Sequence, residues 1–197
     1  MKNLFKFSLV LGVALLTMNV HASEFDFSLG VKKEEGRVIT FVLNDAKKLD
    51  LSIYDENNKL IHSENVSSQS VINRAYDLNA LPEGIYYLVA ESEYKIVKYK
   101  ISVLGAKATL SETAILEEFK PVFIQKEGLI KLNFLNIDKS PTCVKIYDQA
   151  DHLVYDSGEL TDQNISKIFD IYNIQNEEYT IVVKDNNKTF TKTFPSR

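Results

Sequence analysis

From residue 25 onward the chain switches between apolar and polar side chains at almost every step, in short runs. In "LDLSIYD", Leu51 and Ile53 alternate with Ser52 and Tyr54; in "EYTIVVK", Tyr179, Ile181 and Val183 alternate with Thr180 and Val182. A period of two puts successive side chains on opposite faces of a strand, so these runs predict half-buried β-strands. The pattern predicts strands near 25–31, 37–43, 49–55, 59–64, 70–78, 85–91 and 95–103, then near 118–125, 129–136, 142–148, 152–157, 164–171, 178–184 and 188–194. Between them lie "DENNK", "DNNK", "KEEGR" and "LPEG", where Asn and Gly accept left-handed backbone angles. Amphipathic helical spacing of any length is absent.

The second set of strands restates the first. Shifted by 93 positions, Ile53, Tyr54 and Asp55 fall on Ile146, Tyr147 and Asp148. Leu60 then falls on Leu153, Asp77 on Asp170, Tyr86 on Tyr179, Phe41 on Phe134 and Lys95 on Lys188. The repeat predicts two copies of one domain, 23–104 and 117–197, joined by a linker at 105–116, "GAKATLSETAIL", with room for a strand of its own. Seven short strands per copy, with regular turns, is the pattern of an immunoglobulin-like β-sandwich. The expected fold is therefore all-β: two tandem immunoglobulin-like (fibronectin III-like) sandwiches. Leu81 and Tyr86 flank a Pro-Glu-Gly turn, and Ile174 and Tyr179 keep the same five-residue spacing. That spacing predicts a tyrosine corner in each copy, with the ring at the sheet edge and its hydroxyl on nearby backbone.

The N-terminus changes the picture of where such a protein works. Lys2 and Lys6 precede an apolar run from Phe7 to Met18, and Val20-His21-Ala22 offers a small-residue exit, so residues 1–22 read as a signal peptide. The apolar run is too short for a membrane span, no second run of that length follows, and no membrane insertion is expected after cleavage. Cleavage removes two lysines and no acids, leaving 23 − 2 = 21 basic against 27 acidic residues, a net charge of −6. A mildly acidic chain argues against nucleic acid, whose backbone demands a concentrated basic surface. Cys143 is the single cysteine, which excludes an internal disulfide and leaves stability to packed apolar surface.

The stretch "LSIYDENNKLIHSENV…YDLNALPEGIYYLVAESEYKIVKYKI" resembles the C-terminal sorting domains of cargo in the Por (type IX) secretion system of Gram-negative bacteria. It is also similar to small Ig-like domains of unknown function secreted by the same bacteria. The resemblance spans roughly 49–101, and more weakly 142–194. It implies an exported protein, periplasmic, secreted or at the cell surface, with a sandwich fold.

Chemistry is sparse. After cleavage His62 and His152 remain, at positions that are not equivalent in the two copies. Neither lies in a spacing that holds zinc or sets up a nucleophile and base. The Asp/Asn turns at 55–58 and 185–187 lack the alternating carboxylates of a calcium loop. Glu34-Glu35 and Glu117-Glu118 fall beside turns or the linker, where solvation accounts for them; Asp77 and Asp170 each precede a turn and read as backbone caps. No enzyme, metal or cofactor is expected.

The informative positions are those where the outward faces of the copies differ. With Tyr86, Leu88 and Ala90 inward, Ile85, Tyr87 and Val89 face out; the second copy has Glu178, Thr180 and Val182 there. With Val97, Tyr99 and Ile101 inward, Ile96, Lys98 and Lys100 face out, and Tyr54 joins them because strands C, F and G share a sheet. Tyr54, Tyr87, Val89, Ile96 and Lys98 are thus the candidate binding residues, unless the linker or the second copy covers them. The expected function is an exported, non-enzymatic binding or accessory structural module, its partner another protein or a cell-surface component. The alternative is a type IX cargo whose terminal domain is the sorting signal. Cys143 takes the outward phase on its strand and offers a route to a disulfide-linked homodimer.

Overall fold

The computed structural model describes residues 27–45, 47–68, 71–171, 178–186 and 188–195. The signal-peptide reading at 1–22, and Ile174 of the second expected corner, lie outside these residues. Every regular element among the described residues is a strand. In the first copy these are β1 (Ser28–Glu35), β2 (Val38–Asn44), β3 (Lys48–Asp55), β4 (Leu60–Ser67), β5 (Val71–Asp77), β6 (Gly84–Glu91) and β7 (Lys95–Leu104). Then follow β8 (Lys107–Leu110) and β9 (Leu116–Phe119). The second copy supplies β10 (Val122–Lys126), β11 (Leu129–Leu135), β12 (Thr142–Asp148), β13 (Leu153–Leu160), β14 (Asn164–Asp170), β15 (Glu178–Asp185) and β16 (Lys188–Pro195).

These strands form four antiparallel sheets. β1-β2-β5 faces a six-stranded sheet of order β4-β3-β6-β7-β8, with β9 also paired to β7; β10-β11-β14 accompanies β13-β12-β15-β16. Strand for strand, β10–β16 repeat the order of β1–β7. The alternation seen in the sequence sets the faces. Leu49, Leu51 and Ile53 of β3 are buried with Leu88 and Ala90 of β6 against Ile39, Phe41 and Leu43 of β2, all in one apolar cluster. A separate cluster holds Ile130, Leu132 and Phe134 of β11 with Val144, Ile146, Ile181 and Val183.

The repeated hairpin has the same geometry twice. The Asp55 carboxylate accepts the backbone N–H groups of Asn57 and Lys59, each at 2.9 Å. Asp148 accepts those of Ala150 and His152, also each at 2.9 Å. Asn58 and Asp151, which are 93 positions apart, hold left-handed φ angles of 61° and 60°. An Asp that satisfies its own turn explains why "IYD" recurs.

Two boundaries differ from the sequence reading. The span 105–116, expected as a linker, contains β8 and the first residue of β9. Ala108 and Leu110 of β8 are buried in the first cluster, because the outer edge of β7 leaves apolar surface that an alternating "KATL" covers. The strand expected near 118–125 is two strands, β9 and β10, broken at Pro121, which has no N–H for a ladder.

Candidate functional site

Pair registers fix which side chains share the outer face of the six-stranded sheet. Tyr54 lies opposite Tyr87 on β6 and opposite Leu60 on β4. Val89 lies between Ser52 and Lys98, and Lys98 in turn lies opposite Leu116 of β9. Ile96 lies between Glu91 and Glu118. Directly opposed residues in an antiparallel ladder project to the same side. Tyr54, Tyr87, Val89, Ile96 and Lys98 therefore come together on one surface, each half-buried. The Lys98 ammonium lies 3.9 Å from the Tyr87 ring centroid, a cation–π contact across the β6–β7 diagonal.

The segment after β7 extends this face instead of covering it. β9 adds Leu116 beside Lys98, 42% exposed, and the hairpin adds Leu60 beside Tyr54, 51% exposed. Sequence reading missed both. Leu60 was hidden by a register shift between Ile53 and Tyr54, which breaks simple alternation along β4. Leu116 became visible only when β9 was seen to pair with β7.

The same surface of the second copy keeps Tyr147 beside an exposed Leu153, the counterparts of Tyr54 and Leu60, but turns polar beyond them. Tyr147, Thr180 and Thr193 form one row, and the two threonine hydroxyls are 2.9 Å apart. Lys145, Val182 and Thr191 form the next row, with Lys145 ion-paired to Asp156 at 3.3 Å. Cys143 takes the outward phase, between buried Thr142 and Val144. Its thiol donates to Asp156 Oδ1 at 3.3 Å; desolvation first, and then the adjacent carboxylate, push its pKa above the ordinary thiol range.

The tyrosine corner is formed at Tyr86, whose hydroxyl donates to the Pro82 carbonyl at 3.0 Å. The Asp55-capped hairpin and this corner are the features on which the family resemblance rests. Residues 36–104 match the secretion system C-terminal sorting domain. The match falls on the first copy, and a sorting domain of this kind marks the chain as exported. Among solved structures, a biofilm-associated protein BSP domain is 13% identical with a TM-score of 0.25, covering 83% of this chain. This chain spans 28% of the length of that structure. The search of curated proteins finds no match.

The matched copy and the second copy meet at β9. Lys95, 2% exposed, donates to Glu117 at 2.8 Å and lies 4.6 Å from the Phe27 ring centroid. The next residue, Glu118, is ion-paired with Lys188, the counterpart of Lys95 in the repeat. Both glutamates are thus taken up by ion pairs, where the sequence suggested bare solvation. A shallow cleft of about 210 Å³ lies here, lined in part by Glu118, Phe119, Asn136, Ser140, Asp185 and Lys188. Its polar groups lock a loop: Asp185 accepts from Ser140 and from Thr142 (3.0 Å), and Asn136 accepts the Ser140 N–H at 3.0 Å. Among the described residues no His or Cys lines the cleft. Among the described residues no cluster of three or more His, Cys, Asp or Glu is arranged to hold a metal ion.

At the edge of the first sandwich, Glu64 accepts from Arg74 Nε at 3.0 Å and from the Tyr76 hydroxyl at 2.7 Å. Desolvation and the Glu64 carboxylate push the Tyr76 phenol well above its ordinary range, which keeps it a donor at every physiological pH. His62 stacks edge-on to Tyr76, ring centroids 5.6 Å apart. This group closes the gap between β4 and β5.

Proposed function

We propose that this is an exported, non-enzymatic protein of two independently folded β-sandwiches, which acts by binding through the outer face of its first sheet. The carrying observation is the contrast at equivalent places. Tyr54, Tyr87, Val89, Ile96 and Lys98, rimmed by Leu60 and Leu116, form a half-exposed tyrosine- and lysine-bearing surface. The second copy keeps Tyr147, Leu153 and Val182 at the places of Tyr54, Leu60 and Val89, but has Thr180, Thr189 and Thr191 where Tyr87, Ile96 and Lys98 stand. Apolar patches with aromatic anchors and a polar rim are the usual composition of a protein-binding surface. The partner on this reading is another protein or a cell-surface component. The test is retention of purified, labelled chain on cells of the producing bacterium. Tyr87→Ala should lower retention at least tenfold with the fold intact, and Thr180→Ala should leave it unchanged. Equal retention of all three proteins would remove the binding role.

A second reading is a type IX cargo whose terminal copy is the sorting signal; what supports it is a sorting-domain match that falls on the first copy, residues 36–104, of which the terminal copy is a repeat. It requires loss of the terminal copy during export. The intact mass of the exported protein decides this, and a mass that retains residues 117–197 would exclude it.

A further inference from the structure

The connection between the two copies is far shorter than the repeat implies. β9 lies on β7 with Lys95 opposite Phe119, Ile96 opposite Glu118 and Val97 opposite Glu117. The anchoring runs one residue further, because the Lys120 N–H donates to the Tyr94 carbonyl at 2.7 Å. The Lys120 ammonium holds the same hairpin, donating to Glu91 and, at 2.8 Å, to the Ser92 carbonyl. Val122 then opens β10 opposite Asn133. Pro121 is thus the single residue between the last anchor on the first copy and the first ladder of the second, and it is buried. Its ring fixes φ, which leaves ψ as its one soft torsion.

Alternation along β9 sends its side chains to both copies. Glu117 and Phe119 take the phase of buried Lys95 and Val97, and Glu118 takes the opposite phase, with Ile96. Glu117 accepts from Lys95 at 2.8 Å, inside the first copy, while Glu118 pairs with Lys188 at the start of β16. Two counterpart lysines of the repeat are therefore each held by one of two adjacent glutamates. Half-buried Phe119 lines both the cleft of about 210 Å³ and an apolar one of about 270 Å³, and Phe134 and Leu135 of β11 line both with it.

We infer that β9 is a two-sided clasp that holds the copies in one fixed relative orientation, with Glu118–Lys188 as its closing contact. A lone surface ion pair contributes little to stability. Here it has less to do: with Lys120 anchored and Pro121 buried, few orientations remain, and the pair selects among them. The clasp is asymmetric. Lys95 is 2% exposed, whereas the side chains of Lys188 and Glu118 are 43% and 29% exposed, so the half on the second copy opens first. It orients the two cores without merging them, and they remain separate clusters. Closed, it keeps the second copy against the Ile96–Glu118 border of the outer face, as a fixed wall beside it. The inference does not depend on the binding role of that face.

The experiment uses the full mature chain with Cys143→Ser and one spin label on each copy. The labels sit at Asn65→Cys on β4 and Glu159→Cys on β13, both exposed and on the sheet edges farthest from β9 and β16. Double electron–electron resonance should give a single narrow distance distribution. Glu118→Lys, which faces Lys188 with a like charge, should widen it at least twofold with an unchanged circular dichroism spectrum. Adding Lys188→Glu re-forms the pair with its charges exchanged and should return the narrow distribution, which damage to the fold would not allow. Glu112→Lys, the same charge change on the exposed turn before β9, should leave it narrow. A broad distribution in the starting chain would overturn the inference. So would a Glu118→Lys protein as narrow as its parent, a charge-exchanged protein as broad as Glu118→Lys alone, or equal broadening by Glu112→Lys.

Discussion

The two copies share a strand order and a capped hairpin, yet they finish their β7-type strands differently. β7 is closed by β8 and β9, which bury Ala108 and Leu110 in the first core and carry the Glu117 that pairs with buried Lys95. β16, in the equivalent place, pairs only with β15 among the described residues, and its Phe190 and Lys192 stay partly or fully exposed where Val97 and Tyr99 are buried. The outer faces diverge in the same sense, one apolar with a lysine on a tyrosine ring, the other a threonine row. A duplicated fold thus keeps the residues that set turns and core, while the positions facing solvent are free to specialise.

The largest expected effect tests whether the copies fold separately. Leu88 and Ile181 occupy equivalent, fully buried positions. Replacing either with Ala should cost about 2–5 kcal/mol. Under independent folding, urea denaturation should show two transitions, with Leu88→Ala moving one and Ile181→Ala the other. A single transition moved by both would mean one cooperative unit.

Next in size is the closure of β7. Leu110→Ala should cost about 2–3 kcal/mol, and only in the transition that Leu88→Ala moves. Its loss in the second transition instead would show that β8 supports the other core. Tyr87→Ala should weaken partner binding by about 2 kcal/mol or more, as a central aromatic anchor does, with stability nearly unchanged. An unfolded Tyr87→Ala would identify it as a packing residue and end the binding reading.

The corners give a smaller and sharper comparison. Tyr86→Phe removes the bond to the Pro82 carbonyl and should cost about 1 kcal/mol. The Tyr179 hydroxyl is buried with no partner among the described residues, so Tyr179→Phe should be close to neutral in thermal denaturation. An equal cost would place its acceptor in residues 172–177.

The smallest effect concerns Cys143. Its raised pKa means that thiolate accumulates only above the ordinary thiol range, so maleimide labelling at neutral pH should be slower than for a free cysteine. Asp156→Asn removes the negative charge beside the thiol, lowers its pKa, and should speed labelling several-fold. The disulfide-linked dimer expected from the sequence should therefore form slowly, and chiefly at alkaline pH, on non-reducing gels. It should be absent in Cys143→Ser. Rapid dimer formation at neutral pH would contradict the shielding by Asp156.

The alternation of Leu49, Leu51 and Ile53, and of Tyr86, Leu88 and Ala90, by itself determined which faces are buried, because strand side chains obey a period of two whatever lies beside them. The same local rule made Tyr54, Tyr87, Val89, Ile96 and Lys98 legible as one outward face. The 93-residue repeat likewise carried the strand order into the second copy, since Asp55 and Asp148 each satisfy a turn within the next four residues. Tertiary structure alone decided what local rules cannot reach. Pairing of β9 with β7 brought Leu116 to the face, and the shift after Ile53 brought Leu60 there. Those are contacts between residues distant in sequence, and which edge a strand meets depends on the free energy of the assembled sheets, not on the pattern within the strand.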